Sequence, residues 1–152
     1  MALTYSTEQT ITISPASLAN NSARESTAVD NSSNLFLDAD LYVNIKTGAS
    51  GVLATGAVEV YLYCSHEGTT YPDVVTGSDA AITLVNPPNV IFIGVINAVA
   101  NATSYDKTFP GIGAIMGGKV TKKWGVALVN KTGAALDSTA GNFSAKFTGI
   151  TY

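Results

Sequence analysis

Hydrophobic and polar residues alternate along two long stretches of the chain. This pattern predicts β-strands, because successive side chains of a strand point to opposite faces. The stretches are Leu35–Lys46 and Ala57–Ser65. The apolar face of the first carries Leu37, Ala39, Leu41, Val43 and Ile45, and that of the second carries Val58, Val60, Leu62 and Cys64. The segment between them is rich in glycine and serine, so we expect the two strands to pair as a hairpin.

Seven further segments, rich in β-branched and aromatic residues and separated by turn-forming residues, complete the strand pattern. They are Gln9–Ser14, Ala80–Leu84, Val90–Asn97, Lys107–Phe109, Ile112–Met116, Trp124–Asn130 and Phe143–Tyr152. Val90–Val95 is apolar on both faces, which predicts a central strand that is buried on each side. Ser17–Ala28 lacks an apolar stripe at helical spacing, so we expect a loop with one helical turn at most. A total of about eight or nine strands predicts an all-β fold, a jelly-roll or Greek-key β-sandwich.

One domain is expected to occupy most of the chain, preceded by an arm. A chain of 152 residues is long enough to bury a substantial core, and no repeat or linker divides it. We assign residues 1–16 to an N-terminal arm and residues 17–152 to the sandwich. In the arm, Leu3, Tyr5, Ile11 and Ile13 alternate with polar residues, which suits strand addition to the surface of a neighbouring protein subunit.

Charged residues are scarce, at 12% of the chain with a formal net charge of −3, against a usual share of about 25%. The basic residues form no stripe, and Lys119, Lys122 and Lys123 are their one cluster, so we expect no nucleic-acid partner. No apolar run is long enough to cross a bilayer, and the first residues lack the pattern of a signal peptide. We therefore expect synthesis in a cytoplasm and no membrane contact. A surface with so little charge suits contact with a protein partner or a carbohydrate.

No combination of residues predicts a catalytic or metal site. His66 is the single histidine, and its neighbours on a strand would point to the opposite face, so a catalytic triad cannot form there. We interpret Cys64, the single cysteine, as a small buried hydrophobe. Asp38 and Asp40 share a strand face and could serve a glycosidase or bind a hard cation, although a polar outer face explains them more simply. We expect no enzymatic activity, no cofactor and no metal.

Four tyrosines form the other group of candidate functional residues: Tyr42, Tyr61, Tyr63 and Tyr71. The first three are expected on the outer faces of strands. There they could stack on sugar rings, or they could pack across strands or within a subunit interface.

Six short segments, distributed from about residue 17 onward, each resemble segments of one group of known proteins. They are Asn20–Ser26, Lys46–Ala49, Gly77–Ile82, Ile93–Asn97, Lys123–Val126 and Asn130–Leu136. Together they resemble small virion proteins of tailed bacteriophages, in particular capsid decoration (cement) proteins. The resemblance implies a jelly-roll subunit on the outer capsid surface, commonly a homotrimer, that contacts the major capsid protein and ties capsid subunits together. The alternatives are a carbohydrate-binding module of a phage fibre or tail, and another minor head or tail protein.

Overall fold

Two antiparallel sheets account for the alternating pattern of the sequence. The computed structural model describes residues 2–86 and 88–151, and this part of the chain forms eleven strands. They are β1 (Thr4–Tyr5), β2 (Gln9–Ile11), β3 (Ala23–Glu25), β4 (Val29–Asp30), β5 (Asp38–Lys46), β6 (Ala57–Ser65), β7 (Ala80–Ile82), β8 (Ile91–Asn97), β9 (Ser104–Phe109), β10 (Lys123–Lys131) and β11 (Ser144–Thr151). A single helical turn, α1 (Ile112–Ile115), lies between β9 and β10, and a 3-10 turn at Ala140–Asn142 precedes β11. The all-β sandwich predicted from the sequence is confirmed.

The pairing of the strands is nested along the chain. The first sheet has the order β1–β11–β5–β9, and the second has the order β7–β3–β10–β6–β8. Two short strands add to these sheets, since β2 also pairs with β11 and β4 also pairs with β10. Early strands thus pair with late ones: β2 with β11, β3 with β10, β5 with β9, and β6 with β8.

The expected hairpin between the two long alternating strands is wrong. β5 lies in the first sheet and β6 in the second, so residues 47–56 cross from one sheet to the other. Each strand has one apolar face, and that face is buried equally well whether the two strands pair side by side or face each other across the core. The choice is made by β10 and β11, which supply the actual partners of β6 and β5.

The main core lies between the sheets and is built from the alternating apolar positions. Its central strands contribute Ala39, Leu41, Val43, Ile45, Val58, Val60 and Leu62, all buried. Trp124 of β10 meets Phe147 of β11 edge to face, with ring centroids 5.2 Å apart, a favoured arrangement for aromatic rings. Cys64 is half-buried and packs against this core, in keeping with its interpretation as a small hydrophobe.

The segment Val90–Asn97 is an edge strand, not the central strand buried on both faces that its apolar run predicts. β8 lies at the end of the second sheet, and the side chain of Phe92 is 54% exposed. Its ladder with β6 shifts register between Val60 and Tyr61, opposite Gly94, whose φ of 141° suits glycine. The strand buried on both faces is β10, because it lies between β3 and β6 and its outer face is covered by other segments.

Two further expectations about local structure are wrong. Ile112–Met116 is not a strand: Gly111 begins a helical turn there, and the N–H of Gly113 donates to the Asp38 carboxylate over 2.6 Å. Ser17–Ala28 is not only loop, because it contains β3, which pairs with β10 on one side and β7 on the other. Both segments are too short for a periodic pattern to reveal them.

Candidate functional site

Of the ionisable and nucleophilic side chains singled out from the sequence, the two aspartates and the cysteine serve structural roles. Asp38 and Asp40 accept hydrogen bonds from the backbone N–H groups of Gly113 and Gly111, at 2.6 and 3.0 Å, and so hold α1 against β5. Burial raises the pKa of the Cys64 thiol, which disfavours the reactive thiolate. His66 is exposed in the turn that follows β6.

The described residues contain neither a candidate metal site nor a helix that could span a membrane. Within residues 2–86 and 88–151, no group of three His, Cys, Asp or Glu side chains could hold a metal ion together. In the same residues no helix is long and apolar enough to cross a membrane.

The four candidate tyrosines do not form one cluster, and Tyr63 does not face solvent. Tyr63 is fully buried beneath the segment that follows β6, and its hydroxyl donates to the carbonyl oxygen of Ser26 over 2.6 Å. Burial raises the pKa of Tyr63 far above its usual value. Tyr71 packs edge to face against it, with ring centroids 5.6 Å apart. The second sheet therefore has a small outer core, which the alternation within β6 alone could not reveal.

Gly125 of β10 provides the space for the buried Tyr63 ring. A Cβ atom at Gly125 would lie 2.3 Å from that ring, closer than any real contact. The glycine in the middle of a strand is therefore a packing requirement, because the ring lies directly on the backbone of the neighbouring strand.

Tyr42 and Tyr61 are half-buried on the outer faces of different sheets. The Tyr61 hydroxyl donates to the Glu59 carboxylate over 3.0 Å, and its ring lies 5.3 Å from that of Phe92. Burial, together with the adjacent Glu59, raises the pKa of Tyr61. Tyr61 is thus the one candidate tyrosine that lines a groove on the outer face of the second sheet, whereas Tyr42 lies on the opposite side of the molecule.

This outer groove, of about 630 Å³, is lined by polar and apolar side chains. They include Glu59, Tyr61 and Lys131 together with Ile82 and Leu84. The strands supply part of the lining because their outward side chains alternate with those of the main core. The groove offers one aromatic face beside hydrogen-bonding groups of both charges.

A second groove, of about 410 Å³, lies at one end of the sandwich, where three loops converge. We call it the loop-end groove, and its side chains include Leu35, Leu37, His66, Lys119 and Lys122. Leu35 and Leu37 precede β5, and their side chains are 68% and 44% exposed, although the alternating pattern predicts Leu37 in the core. The groove thus combines apolar side chains with cationic ones.

The N-terminal residues form part of the sandwich's own first sheet. β1 pairs with the end of β11, and Leu3 and Tyr5 remain 46% and 58% exposed. Ile11 of β2, by contrast, is buried in the main core, and Ile13 is half-buried against it. Of the four predicted contact residues, Leu3 and Tyr5 are therefore accessible to a partner, whereas Ile11 is occupied within the chain.

Two polar contacts that sequence reasoning missed hold the outer segments in place. The fully buried carboxylate of Glu25 accepts hydrogen bonds from the N–H groups of Thr76 and Gly77 and from the Thr76 hydroxyl, at 2.9–3.0 Å. Asp79 pairs with Arg24 and also accepts from Ser14. Arg24 and Glu25 fall in Ser17–Ala28, which has no periodic alternation of apolar and polar residues, so the hydrophobic pattern did not point to them.

Comparison of the chain with protein-family models, curated proteins and solved structures finds no significant match. The resemblance to decoration proteins therefore rests on the sequence segments alone.

Proposed function

We propose that this chain is a non-enzymatic jelly-roll subunit that binds the outer surface of a tailed-bacteriophage capsid and stabilises it. The observation that carries the proposal is the nested strand pairing, in which β2, β3, β5 and β6 pair with β11, β10, β9 and β8 respectively. Such pairing, distributed over two sheets, is typical of a jelly roll, and viral capsid proteins and lectins both use that fold. Because one fold serves many functions, the choice between them depends on surfaces.

Two properties of the surface support a structural subunit. The chain carries few charges, and several large apolar side chains remain exposed, among them Leu3, Tyr5, Leu35 and Phe92. Exposed apolar positions are available for burial in an assembly, above all where they lie together, as Leu35 and Leu37 do. A subunit that binds the assembled capsid in preference to free capsid protein stabilises the assembled state by mass action. The partners in this proposal are the major capsid protein and, in a homotrimer, two further copies of the chain.

The direct test is binding to heads of the phage that encodes the chain, prepared without it. We expect purified chain to co-sediment with expanded heads, to saturate at a constant number of copies per head, and to raise the temperature at which the heads release DNA. Bovine serum albumin at the same concentration serves as the control for trapping in the pellet. Failure to bind expanded heads above that control would overturn the proposal.

A carbohydrate-binding module is the second candidate, and Tyr61 in the outer groove is the observation that favours it. An aromatic face beside Glu59 and Lys131 is the kind of surface on which a sugar ring can stack and form hydrogen bonds. If the chain binds glycans there, Tyr61→Ala should abolish retention on a glycan array while Tyr61→Phe retains it. Tyr42→Ala, on the opposite sheet, is the matched control. Tyr63→Ala does not test this candidate because Tyr63 is buried.

A further inference from the structure

We infer that the loop-end groove docks an acidic segment of the partner protein that also carries apolar side chains. The inference deepens the proposed attachment to a capsid, and it rests on that proposal for the identity of the partner. The groove itself is defined by the chemistry of Leu35, Leu37, His66, Lys119 and Lys122.

The loop that carries the two leucines is held rigidly by Asn31. The Asn31 side-chain amide donates to the carbonyl oxygen of Phe36 over 3.0 Å, and its side-chain oxygen accepts from the Phe36 N–H over 2.9 Å. The ring of Phe36 packs toward the core against Phe147, with centroids 6.2 Å apart. Phe36 thus anchors the loop, while Leu35 and Leu37 on either side of it are directed outward.

Leu35 adopts a backbone conformation that is unfavourable for it. Its φ is 53°, in the left-handed region that leucine rarely adopts, since glycine and asparagine fit there without the same cost. The exposed Leu35 side chain does not belong to either buried core cluster. A strained residue whose apolar side chain faces solvent is typical of a position selected for contact with something outside the chain.

The charged side chains that line the groove are all basic. Lys119 and Lys122 lie at its rim with His66, and no Asp or Glu of the described residues is among its lining. In the described chain, ion pairs are formed by Arg24, Lys46, Lys123 and Lys146, not by Lys119 or Lys122. The aliphatic part of Lys122 lies along Gly68, which positions its ammonium group at the rim.

Two carboxylates, Asp30 and Glu67, adjoin lining residues in the chain but are not part of the lining. Hydrogen bonds from Ser32 lower the pKa of Asp30, and the nearby Lys123, at 3.9 Å, and Lys122 act in the same direction. Hydrogen bonds from Thr70 and Thr69 lower the pKa of Glu67, and the nearby His66 also lowers it. These carboxylates compensate part of the positive charge from outside the groove, whereas the charged side chains of the lining itself are all basic, although the whole chain is negative. An acidic partner segment complements this charge, and its apolar side chains complement the two leucines.

The groove lies at one end of the sandwich, and this end can therefore face a partner. β5 and β10 begin at this end and β6 and β9 end at it, so the loops before β5, after β6 and before β10 lie together. β1 lies near this end, because Tyr5 pairs with Ile150, whose carbonyl oxygen accepts from the Leu37 N–H over 2.9 Å, whereas β8 forms an edge of the second sheet.

The test uses two variants of the groove and two matched controls. Lys119→Glu/Lys122→Glu reverses the charge at the rim, and Leu35→Gly removes the apolar side chain while it also relieves the left-handed strain. Lys131→Glu reverses a lysine in the outer groove, and Val99→Ala shortens an exposed apolar side chain on another loop. Thermal unfolding of each variant verifies that it is folded, and Leu35→Gly should unfold at the same temperature as the wild type or higher.

Two binding measurements separate the inference from the proposed function. The first is fluorescence anisotropy with a labelled peptide of alternating aspartate and leucine, against the same peptide with lysine in place of aspartate. We expect the wild type to prefer the acidic peptide, and each groove variant to bind it about tenfold more weakly or worse, while the controls match the wild type. The second measurement is the affinity for heads, which should fall in the same variants and weaken as salt rises.

Each outcome supports or overturns one of the two statements. Equal binding of the two peptides, or head binding that is unchanged in both groove variants, overturns the groove inference. If the acidic peptide binds the groove but the wild type does not bind heads, the capsid proposal fails and the groove inference stands. If the charge-reversed variant instead lowers the mass of the chain in solution, the groove is occupied by a second copy, and the inference of an acidic partner is overturned.

Discussion

At the scale of single residues, buried polar groups hold the outer segments of this molecule to its sheets. Glu25 is fully buried and no cation pairs with it among the described residues; backbone N–H groups and one hydroxyl stabilise its carboxylate instead. Such a group stabilises the fold only while all its hydrogen-bond partners remain in place. No sequence motif marks these residues, and their contribution to stability comes from the hydrogen bonds that they form in the folded chain.

The first prediction concerns this carboxylate. Glu25→Gln replaces an acceptor oxygen with a donor NH₂ group that would face the donors of Thr76 and Gly77. We expect the free energy of unfolding to fall by about 1–3 kcal/mol, measured by urea denaturation at pH 7. Glu59→Gln, on the same sheet but lining the open outer groove, is the control and should change stability little. Equal effects in the two variants would contradict the assigned role.

The second prediction concerns Asp79 and pH. Burial by itself would raise the pKa of Asp79, but hydrogen bonds from Arg24 and Ser14 outweigh it and lower the pKa below its usual value. A carboxyl whose pKa is lower in the folded chain stabilises the fold above its unfolded pKa, and this contribution is lost as pH falls through the folded pKa. The wild type should therefore lose stability between about pH 5 and pH 2.

Asp79→Asn separates this effect from that of the other carboxyl groups. The variant should be less stable than the wild type at pH 7, and the difference between the two should shrink as pH falls over the same range, because only the wild type loses the Asp79 contribution. Urea unfolding midpoints at several pH values measure this difference. Two curves that remain parallel from pH 7 to pH 2 would show that Asp79 does not contribute in this way.

At the scale of strands and loops, the sequence predicts a strand correctly where a long alternating pattern corresponds to a strand with one buried face. β6 has exactly the bounds predicted for it, and β5 begins three residues later than predicted, since Leu35 and Leu37 lie in the preceding loop. The short strand β3 and the turn α1 were missed, because three or four residues carry no measurable period. The apolar run of β8 was misread because a run of apolar residues does not by itself distinguish an edge strand from a central strand.

The third prediction concerns the first two strands, which the structure separates in role. Removal of residues 2–7 takes away β1 with Leu3 and Tyr5 but leaves β2 in place. If the exposed N-terminal residues contact the capsid, this deletion should weaken attachment to heads while the unfolding temperature stays nearly unchanged. Co-sedimentation and thermal unfolding measure the two effects, and unchanged occupancy of heads would contradict the role of these residues.

Removal of residues 2–14 provides the contrast for that deletion. It also takes Ile11 out of the main core and removes the hydrogen bonds of Ser14 to Asp79. We expect a loss of about 2–4 kcal/mol in the free energy of unfolding. Only the shorter deletion therefore separates attachment from folding.

At the scale of the whole molecule, the surface is divided among features that suit different contacts. The loop-end groove is basic and apolar, the outer groove is polar with one aromatic face, and the exposed strands β1 and β8 carry Tyr5 and Phe92. Apolar residues that are exposed singly are common on monomers, whereas apolar residues that lie together mark a contact surface. In this molecule Leu35 and Leu37 lie together in the loop-end groove.

The fourth prediction concerns self-association. If the chain is a homotrimer, light scattering coupled to size exclusion should give a mass near three times 15.7 kDa. Phe92→Ser on the edge strand should lower this mass if β8 contributes to the contact between copies, whereas Val74→Ser, an exposed apolar residue in the loop after β6, is the control. A mass of one chain at all concentrations up to those used for head binding would contradict the homotrimer.

The sequence by itself determined the fold class, two of the three nine-residue strands and the core residues that these two strands supply, because alternation over nine residues leaves one way to bury an apolar face. It could not determine which strands pair, and the predicted hairpin of β5 and β6 failed because either arrangement buries the same residues. Only the tertiary structure decided this pairing and the burial of Tyr63 under a distant segment. It also decided that Leu35, Lys119 and Lys122 line one groove. These depend on contacts between residues far apart in the chain, and local patterns carry no information about such contacts.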